Sequence, residues 1–395
     1  MLYQNRTFRI ILFSDVIQQL AIWIRNMALL FFVMDKTNGD KVAVSLMSIF
    51  EYAPILIFSI IGGVLADRWN PKRTMIASDV LSAASIGVIL LMLANGWWGA
   101  LYASVFVSAI LSQFSQPSSA KVFKRHIPED QIPGAIGLSQ SMSSLFHILG
   151  PIIGTAIYQW AGLTMSLLAL PVLFLASAAA LTMLPKEAHI EEQEKLSLKN
   201  DLSSGYRFIV AEKGLLRLFL TFAFLGLAAG LVQPLEIFIV TERLGLNKEN
   251  VQWFAAADGI GLLLGSLIAG MLPKLLKAKY LLPVALAFLG ITFLVEGSSI
   301  WPLVTGAFRF GNGLLLAILN TAVASFVITR IPDTMVGKVN GLMTPLFTGS
   351  ILLGTASSGL LASSLGLFVV YAMSAVLCFI SIVPSLKVGL QKEAA

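Results

Sequence analysis

Twelve long, mostly apolar stretches follow one another along the chain, and no other feature restricts its possible folds as much. They fall near 9–34, 42–66, 74–95, 98–119, 133–157, 163–184, 215–240, 250–273, 280–298, 301–327, 335–362 and 365–386. A helix needs about 20 residues to cross a hydrocarbon core about 30 Å thick, so each stretch is long enough to span. The runs are continuous and lack the alternation of barrel strands, which favours helices. Composition agrees. Hydrophobic residues make up 57% of the 395 and charged residues 12%, against about 25% charged in a soluble domain. So little charge cannot coat a soluble chain of this length, and so much apolar content excludes disorder. The expected class is all-α membrane, with twelve transmembrane helices. The single cysteine, Cys378, sits in an apolar run and offers neither a disulfide nor a Cys-based zinc site. Neither a phosphate-binding G-x-x-x-x-G-K-[ST] loop nor an H-E-x-x-H helix occurs, so no cofactor, no metal and no enzymatic activity are expected.

The net charge of +6 matters through its placement. With the N-terminus and every second loop inside, that side collects 21 Lys and Arg, and the opposite side only Lys36, Lys41, Arg243 and Lys248. Arg25 and Arg309 fall within spans. Positive residues concentrate on the cytoplasmic side, which puts both termini in the cytoplasm. The charge therefore reads as topology, not as nucleic-acid binding. Trp97, Trp98, Trp160, Trp253 and Trp301 all fall at outer helix ends, where amphipathic rings prefer the interface. The first span is too long and too polar, with Asp15 and Arg25, for a cleavable leader.

The longest hydrophilic stretch divides the chain into 1–184, a linker at 185–214, and 215–395, with six spans on each side. Sliding the halves by 207 residues puts Glu51 on Asp258, Gly63 on Gly270 and Lys72 on Lys279. Sliding by 204 puts Ile127-Pro128 on Ile331-Pro332 and Gly150 on Gly354. A near-constant offset over two regions points to duplication. In the linker, Leu198, Leu202, Tyr206, Ile209 and Val210 recur at helical spacing among charges, the pattern of an amphipathic helix at the inner leaflet surface.

After the second span comes Gly62-Gly63-Val64-Leu65-Ala66-Asp67-Arg68-Trp69-Asn70-Pro71-Lys72-Arg73. This resembles the G-x-x-x-D-R-x-G-R-[KR] signature of the major facilitator superfamily: Gly63, Asp67, Arg68 and Lys72 match, while Asn70 stands for the usual glycine and Pro71 for a basic residue. Asn tolerates left-handed backbone, so a tight turn is expected to survive. The resemblance implies an inner gate latch, with Arg68 and Lys72 pairing acids or lipid headgroups. Phe114-Ser115-Gln116-Pro117-Ser118-Ser119-Ala120 and Asp201-Leu202-Ser203-Ser204-Gly205-Tyr206-Arg207-Phe208-Ile209 resemble the macrolide-efflux and enterobactin-exporter-like branch. Gly150-Pro151-Ile152-Ile153-Gly154 resembles in part the G-P-x-x-G-G signature of proton-linked antiporters. Together these imply two pseudo-symmetric six-helix bundles in a bacterial cytoplasmic membrane. They speak for an exporter more than an importer.

An ionisable residue at mid-span costs about 2.5–3.5 kcal/mol on insertion scales, so each one within a span is a functional candidate. On the first helix Asp15, Gln18, Ile22 and Arg25 form one stripe, with Gln19 and Asn26 beside it, as a helix facing a wet cavity would show. Depth along the helices predicts an Arg25–Glu51 pair. The second half offers Asp258 and Arg309 at similar depth, with Glu236 nearer the outer surface. Asp15, which has no basic residue at its own depth, ranks first as proton carrier, ahead of Glu51 and Asp258. For Arg25 and Glu51 a purely structural pair remains open. Gln18, Trp23, Arg25, Phe146, Glu236 and Arg309 are the cavity candidates, within walls of aromatic and Met residues that suit amphipathic compounds. Asp79 is expected to partner Arg68 or Lys121, and Glu296, at an outer end, to be solvated. The expected partners are a small amphipathic substrate, protons and membrane lipid. The expected activity is export of a drug, macrolide, siderophore or metabolite by proton antiport with alternating access. A uniporter or flippase without protons, and a non-transporting membrane receptor, are the alternatives.

Overall fold

The computed structural model describes residues 5–128, 131–185, 198–271, 278–386 and 388. Within them the chain is all-helical. The first half contains α1 (Arg6–Lys36), α2 (Lys41–Arg68), α3 (Pro71–Ala94), α4 (Ala100–His126) and the stretch Ile132–Thr182. Gly162, at φ 70° and ψ −178°, breaks that stretch into α5 (132–161) and α6 (163–182). The linker helix α7 (Leu198–Ala211) follows, then α8 (Lys213–Val232), α9 (Val251–Met271), α10 (Ala278–Ser298), α11 (Pro302–Arg330), α12 (Asp333–Leu365) and α13 (Leu367–Ser385). Between α8 and α9 the chain passes through a 3-10 turn at Gln233–Leu235, a short helical turn at Glu236–Phe238 and a π-turn at Ile239–Arg243.

Among the described residues ten stretches are long and apolar enough to cross a membrane, one of them being the 46 residues Gly137–Thr182 that hold most of α5 and all of α6. Helix α4 is not among them, because its C-terminal half carries Ser112, Gln113, Ser115, Gln116 and Ser119. On the helix exteriors Leu91, Val172, Leu353 and Val383 stand exposed, and Trp97, Trp160, Trp253 and Trp301 are exposed at helix ends. That is the surface of a protein solvated by lipid.

The duplication appears in the backbone. Gly162 and Gly366, 204 residues apart, both turn the chain with positive φ and extended ψ. Ile127 (φ −108°, ψ 130°) and Ile331 (φ −102°, ψ 131°), at the same spacing, end α4 and α11 in one conformation. Each precedes a proline, which pushes its neighbour out of the helical region and stops the helix there. Packing repeats too: α3 meets α4 in the first half as α10 meets α11 in the second, and α1 packs on α5 as α8 packs on α12.

The chain folds into two compact units, one made of Met1–Gly39 with Phe50–Glu194, the other of Asp40–Ile49 with Lys195–Ala395. In the first, Asn5 caps α1 by accepting from Phe8 N–H at 3.2 Å, and its amide donates to His126 O at 2.9 Å. In the second, Lys41 pairs with Glu242 at 2.7 Å and lies 5.1 Å over the Phe238 ring.

Linker helix α7 packs on α12, with Ile209 buried and Lys338 Nζ 3.1 Å from Ser204 Oγ. Its apolar residues thus divide: Ile209 faces the protein, whereas Tyr206 and Val210 stay exposed. The preceding residues 186–197 lie outside the described residues, as do Leu272–Lys274 in the second-half copy of the signature.

Candidate functional site: a polar cavity and a buried charge cluster

The first unit contains a cavity of about 240 Å³ bounded by α1, α3, α4 and α5. From α1 come Leu12, Asp15, Val16, Gln18, Gln19 and Ile22, so the inner part of the expected polar stripe does face open space. From α4 come Ser112, Ser115, Gln116 and Ser119. Ser139, Met142, Ser143 and Phe146 enter from α5, and Met75 from α3. Asp15 is the one carboxyl among these side chains, and the charge that acts on it is that of Asp79. Ser139 Oγ is buried without a hydrogen-bond partner. The wall is therefore richer in hydroxyl and amide groups than the aromatic and Met lining expected. Such groups donate and accept in several directions, so they hold water or a polar solute.

Behind the cavity a hydrogen-bonded network ties three helices. Asp79, on α3, accepts from Ser177 Oγ at 2.6 Å and from Gln18 Nε2 at 2.9 and 3.2 Å. Ser14 and Ser177 share a hydroxyl bond at 2.7 Å. Asp79 is thus held by neutral donors, while Arg68, one of the two basic residues expected near it, has its side chain outside the described residues; Gln18 serves both the cavity and the network.

Farther out on α1 the expected pairing changes. Arg25 is 5% exposed. Its Nε and Nη2 donate to Asn26 Oδ1 at 3.2 and 3.0 Å, and Nη1 to Ser104 O at 3.5 Å. Glu51 and Arg25 influence each other electrostatically, but the hydrogen bonds go to neutral acceptors. Trp23 also lies outside the cavity lining. Its ring meets His147 edge-on at 5.7 Å and packs on Gly150, where an added Cβ would lie 2.3 Å from Trp23 Cγ. At Gly154 the same atom would come within 2.7 Å of Trp23 O. The Gly150-Pro151-Gly154 segment thus brings α5 against the backbone of α1. Other aromatic side chains within the spans pack on each other: Phe222 on Phe347, Phe308 on Phe288, Phe50 on Tyr102.

Within the signature, Asn70 is extended (φ −68°, ψ 115°), not left-handed as expected. It caps α3 by accepting from Arg73 N–H at 3.1 Å, with Pro71 in the first turn. An Asn cap followed by Pro is a favoured helix start. Lys72 donates to Thr182 O at 2.6 Å and to Leu184 O, binding the C-terminal end of α6 rather than an acid. A cation is well placed there because the last carbonyls carry negative charge. The side chains of Gly63, Asp67 and Arg68 lie outside the described residues.

The second unit holds a cluster of buried charge. Arg309 of α11 reaches Glu236 Oε1 through Nη1 at 2.8 Å and Glu296 through Nε at 2.5 Å and Nη2 at 3.0 Å. Glu296 is 1% exposed. Its expected solvation is therefore overturned, because Arg309 folds over it. Asp258 on α9 lies in the same field and receives the Asn312 amide at 3.5 Å. The glycines of α9 and α11 allow this approach: a Cβ on Gly261 would lie 2.1 Å from Phe310 O, and one on Gly313 2.0 Å from Asp258 O. Sequence depth brought Glu236, Asp258 and Arg309 together; it missed Glu296 and Tyr371.

The chain belongs to the Major Facilitator Superfamily, whose family profile matches residues 11–240. It is a multi-pass membrane protein of a transporter family. It is 26% identical over 368 residues to the uncharacterized MFS-type transporter YkuC of Bacillus subtilis, covering 89% of this chain and 85% of that one. It is 24% identical over 283 residues to macrolide efflux protein A of Streptococcus pyogenes, covering 69% of this chain and 68% of that one. Among solved structures, a mutant of the nucleoside transporter NupG superimposes with a TM-score of 0.78 at 12% identity, covering 98% of this chain and 100% of that one. At that identity the likeness concerns the fold alone.

Proposed function

We propose that this facilitator-superfamily member exports an amphipathic small molecule (a drug, macrolide, siderophore or metabolite) from a bacterial cell in exchange for protons. Both termini lie in the cytoplasm. The bundles 1–184 and 215–395, joined by the linker 185–214, work by alternating access, with Gly63, Asp67 and Arg68 guarding the inner side and Lys72 anchoring α6 beside them. The observation that carries this reading is Asp15, a single carboxyl in a cavity of serine and glutamine side chains. A carboxyl so placed can bind the amine of a cationic substrate or a proton, one excluding the other, which is the logic of exchange. Met142 and Phe146 give the same cavity an apolar wall for the rest of an amphipathic substrate. The macrolide-efflux relative supports export as the direction. Glu51 and Asp258 are the other proton-coupling residues.

Everted membrane vesicles test this. A macrolide or an amphipathic cation added to vesicles holding a preformed pH gradient is expected to collapse it. Asp15→Asn is expected to abolish that response and to weaken, through loss of the ion pair, the thermal stabilisation that a cationic substrate gives the purified protein, while the apolar wall still lets it bind. Full uphill export by Asp15→Asn would remove Asp15 from the mechanism. Substrate export with no proton movement would favour the uniporter.

A further inference from the structure

The charge cluster of the second unit carries more negative groups than its cation can answer. Glu296 and Glu236 take up Arg309, Glu236 at Nη1 and Glu296 at Nη2, with Nε beside Glu296 in an ion pair that is not a directed hydrogen bond. Asp258 is left with the Asn312 amide at 3.5 Å, long for a bond to a charged acceptor. Tyr371, from α13, is wholly buried, and its hydroxyl has no hydrogen-bond partner. It lies in the fields of Glu296, Arg309 and Glu236. Gly297 gives it room, since a Cβ there would lie 3.0 Å from Tyr371 Cβ. Arg243 and Glu242, on the adjoining π-turn, are engaged elsewhere, with Ser298 O and Lys41. Two carboxyls thus hold the one guanidinium, and the third, Asp258, goes without it. With all three ionised the cluster would carry two net negative charges around a buried Glu296; Glu236 is 35% exposed and can keep its charge, whereas Asp258 is half-buried with no cation bound to it, and a poorly hydrated carboxylate without a partner is neutralised by binding a proton.

We propose that Asp258 holds a proton in a second site, distinct from the Asp15 cavity, in which Glu296 is a positioning residue that keeps Arg309 away from Asp258. The site extends the proton-exchange reading above and rests on it only for its role in transport. On release, the carboxyl O–H bond of Asp258 breaks, the electron pair stays on oxygen and the proton passes to water. Arg309 then turns toward the new carboxylate, and the Tyr371 hydroxyl donates to Glu296 in place of the departing guanidinium. The unpartnered hydroxyl is the donor held for that second arrangement.

Infrared difference titration of the full-length protein in lipid nanodiscs reads protonated carboxyls directly and needs no transport. The wild type is expected to show a protonated-carboxyl band at neutral pH, of which Asp258→Asn removes one group's share. Glu296→Gln is expected to remove the same share, because the freed guanidinium moves onto Asp258. Tyr371→Phe, which changes one atom and guards against misfolding of the Glu296 variant, is expected to keep the band at a pH where the wild type has lost it. A band unchanged by Asp258→Asn, or a full Asp258 share surviving in folded Glu296→Gln, overturns the proposal. So does a band that sodium removes at constant pH, which would make the ligand a metal cation. A band that behaves as expected while vesicles show no exchange would leave this site standing and sink the transport reading; intact exchange without the band would do the reverse.

Discussion

Arg309 shows how far a single side chain can be read from a sequence of this kind. A guanidinium within a span must be answered, and Glu236 and Asp258 stood at suitable positions along their helices. Depth along a helix says nothing about what covers its end, however. Glu296 lies two residues from the end of α10, where solvent was the natural expectation. Arg309 from α11 closes over it instead. Removing Arg309 leaves Glu296 buried and unanswered, so Arg309→Ala is expected to cost about 3–5 kcal/mol of stability, seen as a lower thermal midpoint in detergent. Arg309→Lys keeps the charge but loses the planar fork, and is expected to recover only part of it. An alanine variant as stable as the wild type would mean that the cluster does not hold these helices together. Arg25 teaches the complementary lesson: its depth matched Glu51, yet its hydrogen bonds go to neutral acceptors at Asn26 and Ser104.

At the scale of elements, close helix approach is set by glycine, and only part of that was visible. Gly150 and Gly154 stood in a segment with a family resemblance, and the structure gives them a mechanical role against α1. Gly313 carries no motif, yet it presses α11 onto the backbone of α9. The two sites should respond differently to a methyl group. At Gly150 the obstacle is a side chain, with Trp23 Cγ nearest, so the whole indole must shift, and Gly150→Ala is expected to cost about 1–3 kcal/mol. At Gly313 the obstacle is a backbone carbonyl, so Gly313→Ala should destabilise more and disturb Asp258 as well. Chemical or thermal unfolding of the pair checks the order; equal losses would argue that both crossings relax alike. The helix ends at Ile127 and Ile331 were legible because proline restricts the residue before it whatever surrounds it. The cap at Asn70 was not, since Asn serves left-handed turns and extended caps alike.

At the scale of the molecule, the number of spans and their duplication could be read from the order of apolar and basic residues, because lipid and the positive-inside bias act on every segment in the same way. The cavity could not, since its wall comes from four helices that only folding assembles. Filling it tests its role without touching a charge: Ser115→Leu with Ser119→Leu is expected to leave the fold intact and to abolish substrate-dependent thermal stabilisation. Undiminished stabilisation would place the substrate elsewhere. Helix α4, to which both serines belong, falls short of the apolarity that marks the other spans. Apolarity is thus weakest in the very wall that offers a solute the most handholds, and in chains of this type the span most poorly suited to oil is where cargo contacts are to be sought first.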